Sequence, residues 1–175
     1  ANDNAGCTTT NDTFNVNIDI DTITDLTTGD ILIISTGATA NATCITGFTA
    51  TSSTVNNSDT NKANLTAADS GVTIDLGLVT TGAFTVDGGS GVDTLKGSTG
   101  NDVIDGKGDA DLIYGGAGND DLTGGAGNDT FTGNAGNDIF RADAGTDTIT
   151  DLSTGDALIV SNSATANATL SLIHI

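Results

Sequence analysis

Seven aspartates stand nine residues apart: Asp93, Asp102, Asp111, Asp120, Asp129, Asp138 and Asp147. Each closes a glycine-rich stretch, and no His or Cys lies within reach of any of them in sequence. The donors on offer are therefore oxygens only: one carboxylate per unit, plus the backbone carbonyls that glycine turns can point inward. Six to eight oxygen ligands in a flexible arrangement suit Ca²⁺, whereas Mg²⁺ demands tighter octahedral geometry and sheds water reluctantly. Asp and Asn are also ordinary turn residues, but turn formation alone does not require seven carboxylates in one register.

The elements that position these carboxylates follow from the same spacing. Cut every nine residues from Gly88 to Thr150, the chain reads GGSGVDTLK, GSTGNDVID, GKGDADLIY, GGAGNDDLT, GGAGNDTFT, GNAGNDIFR and ADAGTDTIT. The eighth place is always apolar: Leu95, Ile104, Ile113, Leu122, Phe131, Phe140 and Ile149. Glycine holds the first place except at Ala142, and the fourth except at Asp109. The last three residues of a unit alternate polar, apolar, polar, which predicts a three-residue strand with its middle side chain turned inward. Two units make one 18-residue coil, and successive coils stack at about 4.8 Å. Asp93, Asp111, Asp129 and Asp147 then line one edge, and Asp102, Asp120 and Asp138 the other. A cation between neighbouring coils gives three gaps on the first edge and two on the second, hence about five ions for a ligand-hungry cation such as Ca²⁺. Two carboxylates about 5 Å apart repel by roughly 3 kcal/mol at an effective dielectric of 20, so the array is expected not to fold without its cation.

This array resembles the RTX family of bacterial secreted proteins, which carry GGxGxDxUx repeats. The resemblance covers Gly88 to Thr150, and the DTITDLSTGD segment after it is similar to the segment that ends such arrays in that family. It implies an all-β protein built as a parallel β-roll or β-solenoid with calcium in its turns, here flanked by a Thr-rich β region. It also implies export in an unfolded state by type I secretion and folding in external calcium. The implied ligands are the seven sixth-place aspartates and carbonyls of the turns: Gly88, Ser90 and Gly91; Gly97, Thr99 and Gly100; Gly106, Gly108 and Asp109. They continue with Gly115, Ala117 and Gly118; Gly124, Ala126 and Gly127; Gly133, Ala135 and Gly136. Asp109 in place of glycine implies a strained or differently ligated third turn. Ala142-Asp143 in place of Gly-Gly implies a weak seventh one.

The composition narrows the function further. The 175 residues carry a net charge of −19, from 23 acids, all Asp, against four basic residues. Phosphate recognition needs clustered Lys and Arg, so nucleic acid and anionic membrane surfaces are not expected partners. High negative charge with few aromatics is the composition of a disordered chain, which is what the calcium-free protein should resemble. Pro, Met and Trp are absent, while Thr, Val, Ile, Gly and Asn are plentiful, the balance of an all-β protein. No stretch is long or apolar enough to span a bilayer, and membrane insertion is not expected. Catalysis is not expected either: the single His174 has no nucleophile motif around it, and neither GxSxG nor HExxH occurs. Cys7 and Cys44 lack metal-ligand spacing; in an extracellular protein they could form a disulfide or remain two thiols.

A second, longer repeat surrounds the first. Asp21 to Thr43, DTITDLTTGDILIISTGATANAT, recurs from Asp147 to Thr169 as DTITDLSTGDALIVSNSATANAT, offset by 126 residues, and Asn11 to Phe14 falls on Asn137 to Phe140. We expect residues 1–43 to be the end of a preceding repeat plus a capping β segment, and 44–87 a Thr-rich β region leading into the coil. Residues 88–150 form the calcium-binding roll, and 151–175 a truncated second copy of the cap. A tandem module of this composition fits a secreted, cell-surface structural unit that associates with identical copies or neighbouring modules, as in a surface layer, sheath or filament. Alternatives are a repeat spacer of a large biofilm adhesin, or the C-terminal RTX region of a secreted enzyme or toxin whose catalytic domain lies outside this chain.

Overall fold

A computed structural model describes residues 13–16, 20–24, 26–28, 30–36, 38–45, 47–57, 63–68, 70–162 and 164–170, apart from the side chains of 44 and 168–170. The first nine strands are β1 (Thr13–Val16), β2 (Ile20–Ile23), β3 (Ile31–Ile34), β4 (Thr39–Ile45), β5 (Phe48–Thr49), β6 (Val55–Asn56), β7 (Ala63–Ala67), β8 (Thr73–Asp75) and β9 (Thr85–Asp87). The nonapeptides contribute β10 (Thr94–Lys96), β11 (Val103–Asp105), β12 (Leu112–Ala117), β13 (Asp121–Thr123), β14 (Thr130–Ala135) and β15 (Ile139–Ala142). The last three are β16 (Gly145–Leu152), β17 (Ala157–Val160) and β18 (Ala164–Leu170). There is no helix among the described residues, hence none long and apolar enough to cross a membrane.

All strand pairing is parallel, each inner strand of a sheet pairing with strands of the coils before and after it, giving a β-solenoid. One sheet has eight strands in the order β17-β15-β13-β11-β9-β7-β4-β2, and a second has seven in the order β18-β16-β14-β12-β10-β8-β5. A third, of three strands, β1-β3-β6, exists only towards the N-terminal end. The Thr-rich stretch is therefore coiled in the same stack as the nonapeptides.

Coil length divides the stack. In the nonapeptide array the register is constant: Leu95 pairs with Ile113, Ile113 with Phe131, and Phe131 with Ile149, each step 18 residues. Lower down the steps are uneven and mostly longer: 18 from Phe14 to Leu32, 23 from Asn41 to Asn64, 26 from Phe48 to Ile74, and 21 from Leu65 to Val86. The extra residues build the third side. Above β6 that side continues as irregular backbone, with the Asn56 N–H donating to Thr81 O (3.1 Å) and the Thr99 N–H to Val79 O (3.2 Å). It narrows there into the turn at Gly97–Asn101.

The period-two alternation of each short strand fixes which face is buried. Leu95, Ile104, Ile113, Leu122, Phe131, Phe140 and Ile149 are all fully buried along the axis, as their spacing predicts. Phe131 and Phe140 meet edge to face, with ring centroids 6.1 Å apart and planes at 79°. Below, the core is wider and mixes large and small residues: Phe48, Phe84, Leu32 and Leu65 beside Ala38, Ala40, Ala42 and Ala63.

The 126-residue repeat is also a repeat of strand pairing. Phe14 pairs with Leu32 as Phe140 pairs with Leu158, and Ile20 pairs with Thr39 as Thr146 pairs with Thr165. The two copies differ in what lies on them. Leu32 and Ile34 are fully buried, whereas of their equivalents Leu158 is half-buried and Val160 is 46% exposed.

Candidate metal centre

Each nonapeptide turn joins one sheet to the other, so consecutive turns fall alternately on the two edges of the roll. The aspartates on an edge are linked through one carboxylate oxygen. On the first edge, the N–H groups of Asp93, Asp111 and Asp129 donate to Oδ1 of Asp111, Asp129 and Asp147 at 2.8, 2.8 and 3.0 Å. Below Asp93 the ladder starts from the Val72 N–H, which donates to Asp93 Oδ1 at 2.7 Å. On the second edge, the N–H groups of Phe84, Asp102 and Asp120 donate to Oδ1 of Asp102, Asp120 and Asp138 at 2.7, 2.8 and 2.9 Å. The predicted stacking of the two aspartate rows is thus present, with the 18-residue step as its rung.

The second oxygen is different. All seven aspartates are buried, and Oδ2 of Asp93, Asp111, Asp120, Asp129 and Asp147 has no hydrogen-bond partner. A buried carboxylate oxygen without a partner is costly, so five such atoms in register need an explanation. The glycines supply one. A Cβ placed on Gly115 would lie 2.3 Å from Asp120 Oδ2 and 2.8 Å from Gly133 O, and one on Gly106 would meet Asp111 Oδ2 and Gly124 O in the same way. The bare Cα leaves a cradle between a carboxylate and the carbonyl of the next coil. At the fourth place, a Cβ on Gly118 would meet Gly100 O at 2.4 Å, so glycine there lets stacked carbonyls approach. Among the described residues no three His, Cys or acidic side chains converge. A cation on either edge must therefore draw most of its ligands from backbone carbonyls, a donor set that fits a hard ion such as Ca²⁺.

Burial pushes the carboxyls up from their usual range. Asp111 and Asp120 are raised to about 7 and Asp102 to about 6. In each the loss of solvent is the largest cause, opposed by backbone N–H donors and, at Asp111 and Asp120, reinforced by neighbouring aspartates of the ladder. Asp93, Asp129, Asp138 and Asp147 move in the same direction for the same first reason. A positive ion placed between the coils would reverse this shift.

The family model of the RTX calcium-binding nonapeptide repeat (four copies) matches residues 87–122 and 114–149. Residues 87–149 are RTX repeats. Among curated proteins and among solved structures, nothing matches the chain. RTX repeats bind calcium, and the RTX array here is a calcium-binding structural repeat in a β-solenoid.

The structure brings the sequence-derived residues of the RTX array together edge by edge. Gly88, Gly97, Gly106, Gly115, Gly124 and Gly133 each lie against the Oδ2 of their own unit's aspartate. Asp109, in the place of a fourth glycine, takes a left-handed φ of 67°, a conformation that Asp tolerates better than most residues but at some cost. Its carbonyl lies against Gly127, as Gly100 O lies against Gly118. Ala142 is buried at the first place of the seventh unit, where the six others have no side chain, yet Asp147 Oδ2 remains unpartnered.

Sequence reading missed the continuation of the second edge. The Asp138 N–H donates to Asp156 Oδ1 at 2.9 Å, one more rung of 18 residues. Residues 151–159, DLSTGDALI, hold phase with aspartate at the sixth place and Leu158 at the eighth; Asp151 and Thr154 in place of the first- and fourth-place glycines hid them. Here the Ser153 N–H donates to Asp156 Oδ2 at 2.7 Å, and Asp151 receives the N–H groups of Gly133 and Asn134 at 2.9 and 2.7 Å. The same device occurs 126 residues earlier, where the Thr27 N–H donates to Asp30 Oδ2 at 2.7 Å. Cys7, His174 and the side chain of Cys44 lie outside the described residues. A shallow groove lined by Ser35, Thr36, Asn56, Asn57, Thr81 and Gly82 offers hydroxyls and amides but no His, Cys or acid to activate them.

Proposed function

We propose that this chain is a calcium-dependent structural unit of a secreted bacterial surface layer, sheath or extracellular filament, which folds and self-associates in external calcium. The observation that carries this reading is the repeated coil. The strand pairing of β1 to β4 recurs in β15 to β18, and in the first copy that coil is covered by the next one. Leu158, Ile159 and Val160 therefore belong to a sequence that is buried at Leu32 and Ile34 when another coil is stacked on it. Parallel solenoid strands with open edges are templates for such stacking.

Within the unit, the seven aspartates and the carbonyls of the first, third and fourth places of the RTX turns are the proposed ligands, for about five ions. Bound calcium supplies the positive charge that the buried carboxylates lack. The chain's own residues then act as a scaffold: the Oδ1 rungs hold each aspartate on its neighbour, and the bare first-place glycines keep the cradle open. The boundaries at residues 43, 87 and 150 mark the working parts of this unit, namely cap, Thr-rich coils, calcium roll and second cap. Nothing in this reading uses a catalytic group.

Electron microscopy of the purified chain in millimolar calcium tests the proposal. Ordered sheets or fibres, dispersed again by chelator, are the expected result. A chain that stays monodisperse at high concentration would instead favour a spacer within a long adhesin.

A further inference from the structure

Two buried aspartates of the array, Asp102 and Asp138, are not among those with an unpartnered Oδ2, and at Asp102 the partner is plain. Asp102 Oδ2 receives the Ser98 N–H at 2.6 Å and the Ser98 Oγ at 3.0 Å. The same Oγ lies 3.0 Å from Gly82 O, the carbonyl of the coil below, and accepts the Gly100 N–H at 3.1 Å. Ser98 is itself buried, 2% exposed. Its hydroxyl thus bridges a carboxylate and a carbonyl of the neighbouring coil, which is the role a cation would have in this turn.

The backbone explains why this turn differs. The second-place residues Gly89, Lys107, Gly116, Gly125 and Asn134 take left-handed φ values of 87°, 75°, 112°, 92° and 69°. In four of those five units, all but that of Asp138, the aspartate Oδ2 is unpartnered. Ser98 is not in the left-handed region, nor is Asp143 in the seventh unit, where Asp147 Oδ2 stays unpartnered; what is particular to Ser98 is that its N–H turns onto its own unit's carboxylate. A cation about 2.3–2.6 Å from that oxygen would face the positive end of the N–H dipole and the space filled by Oγ.

We infer that Ser98 stands in for calcium at Asp102, which removes Asp102 from the seven proposed ligands and one ion from the proposed five, so that the second edge takes its cation from Asp120 onward and the turn at Gly97–Asp102 is closed by the chain itself. This rests on the calcium reading of the array. It makes the Asp102 turn a cation-independent joint: the last coil of the three-sided base is sealed by neutral donors, and the calcium-dependent coils are added above it.

Native mass spectrometry in saturating calcium tests this by counting ions per chain for the wild type and for Ser98→Gly. The variant is expected to bind one more ion than the wild type and to fold at a lower calcium concentration. An equal ion count in two calcium-binding proteins would overturn the inference. Should the variant fail to fold, a calcium-loaded crystal structure of the wild type decides: an ion beside Asp120 and none against Asp102 supports the stand-in, and an ion bound to Asp102 Oδ2 refutes it. A wild-type chain that binds no calcium at all would sink the calcium reading, and the stand-in with it.

Discussion

Below Gly88 the solenoid is three-sided and its buried polar groups have partners; above it the solenoid is two-sided and most of its buried carboxylates keep one oxygen bare. In the lower part Asp30 is held by the N–H and hydroxyl of Thr27, Thr54 Oγ1 by the Thr51 N–H, and Asn56 by the carbonyl of Ala83. In the upper part five Oδ2 atoms are without a partner. The coils from β3 to β10, of 21 to 26 residues, enclose enough volume for Phe48, Phe84, Leu65 and Ile45 to make a core of ordinary kind. The 18-residue coils enclose one inward side chain per unit. Each such side chain contributes about 1.5–3 kcal/mol on burial, against a backbone cost of about 1–2 kcal/mol for each ordered residue. A narrow, glycine-rich coil cannot stand on its apolar core, and its turns must carry the difference. Coil width and cation dependence are therefore two sides of one design choice.

The largest expected effect comes from that contrast. Removing calcium should melt the upper coils and spare the lower ones. Hydrogen exchange read by mass spectrometry should show residues 88–150 losing protection in chelator, while residues 38–87 keep most of theirs. Uniform loss along the chain would mean that the three-sided base is stable only as a platform under the roll. Uniform retention would mean that the bare carboxylates are tolerated without an ion.

A smaller effect distinguishes the two cores residue by residue. Phe131 and Phe48 are both fully buried, and truncating either to alanine should cost about 3–5 kcal/mol in calcium. In chelator the two should part. Phe48→Ala should still lower the melting temperature of the residual fold, whereas Phe131→Ala should do nothing, because the coil it supports is already open. Equal responses of the two variants in chelator would erase the distinction between base and roll.

The roll was legible in the sequence because its step is constant. Nine residues with aspartate sixth and an apolar residue eighth set the strands β10 to β15, their inward side chains and the two carboxylate rows. The base was less legible because its steps vary from 18 between Phe14 and Leu32 to 26 between Phe48 and Ile74, so no period marks it. Its third side includes the apolar strand β3 but continues through the two-residue β6 into irregular backbone, where Ser, Thr and Asn read equally well as loop. The 126-residue offset did reveal that the first and last coils are copies, because there the pairing register recurs. Asp156 was missed because Asp151 and Thr154 stand at the first and fourth places of its unit instead of glycine, although its phase was right. At Ser98 the sequence shows a single small polar residue in a glycine's place; that its amide and hydroxyl close onto Asp102 depends on a φ that spacing does not encode.

The smallest effect is the response to pH, confined to the roll and opposite in sign with and without calcium. Without the ion, Asp111 and Asp120 titrate near 7 and Asp102 near 6 in the folded roll, against a value of 3.8 in the open chain. The folded form therefore holds its protons more tightly. Its stability from this source is fully present below about pH 4 and is lost as the pH rises through 6 to 7. Acidifying the calcium-free chain from pH 8 to 5 should restore part of the β signal by circular dichroism. With calcium present the same protons compete with the ion for the same oxygens. The calcium concentration at half-folding should then rise as the pH falls from 8 to 6, by no more than about tenfold in ion affinity per pH unit for each carboxylate that titrates. A calcium midpoint that does not change over that range would show that the carboxylates of the ladder are not the groups that meet the ion, and would shift the ligand set onto the carbonyls alone.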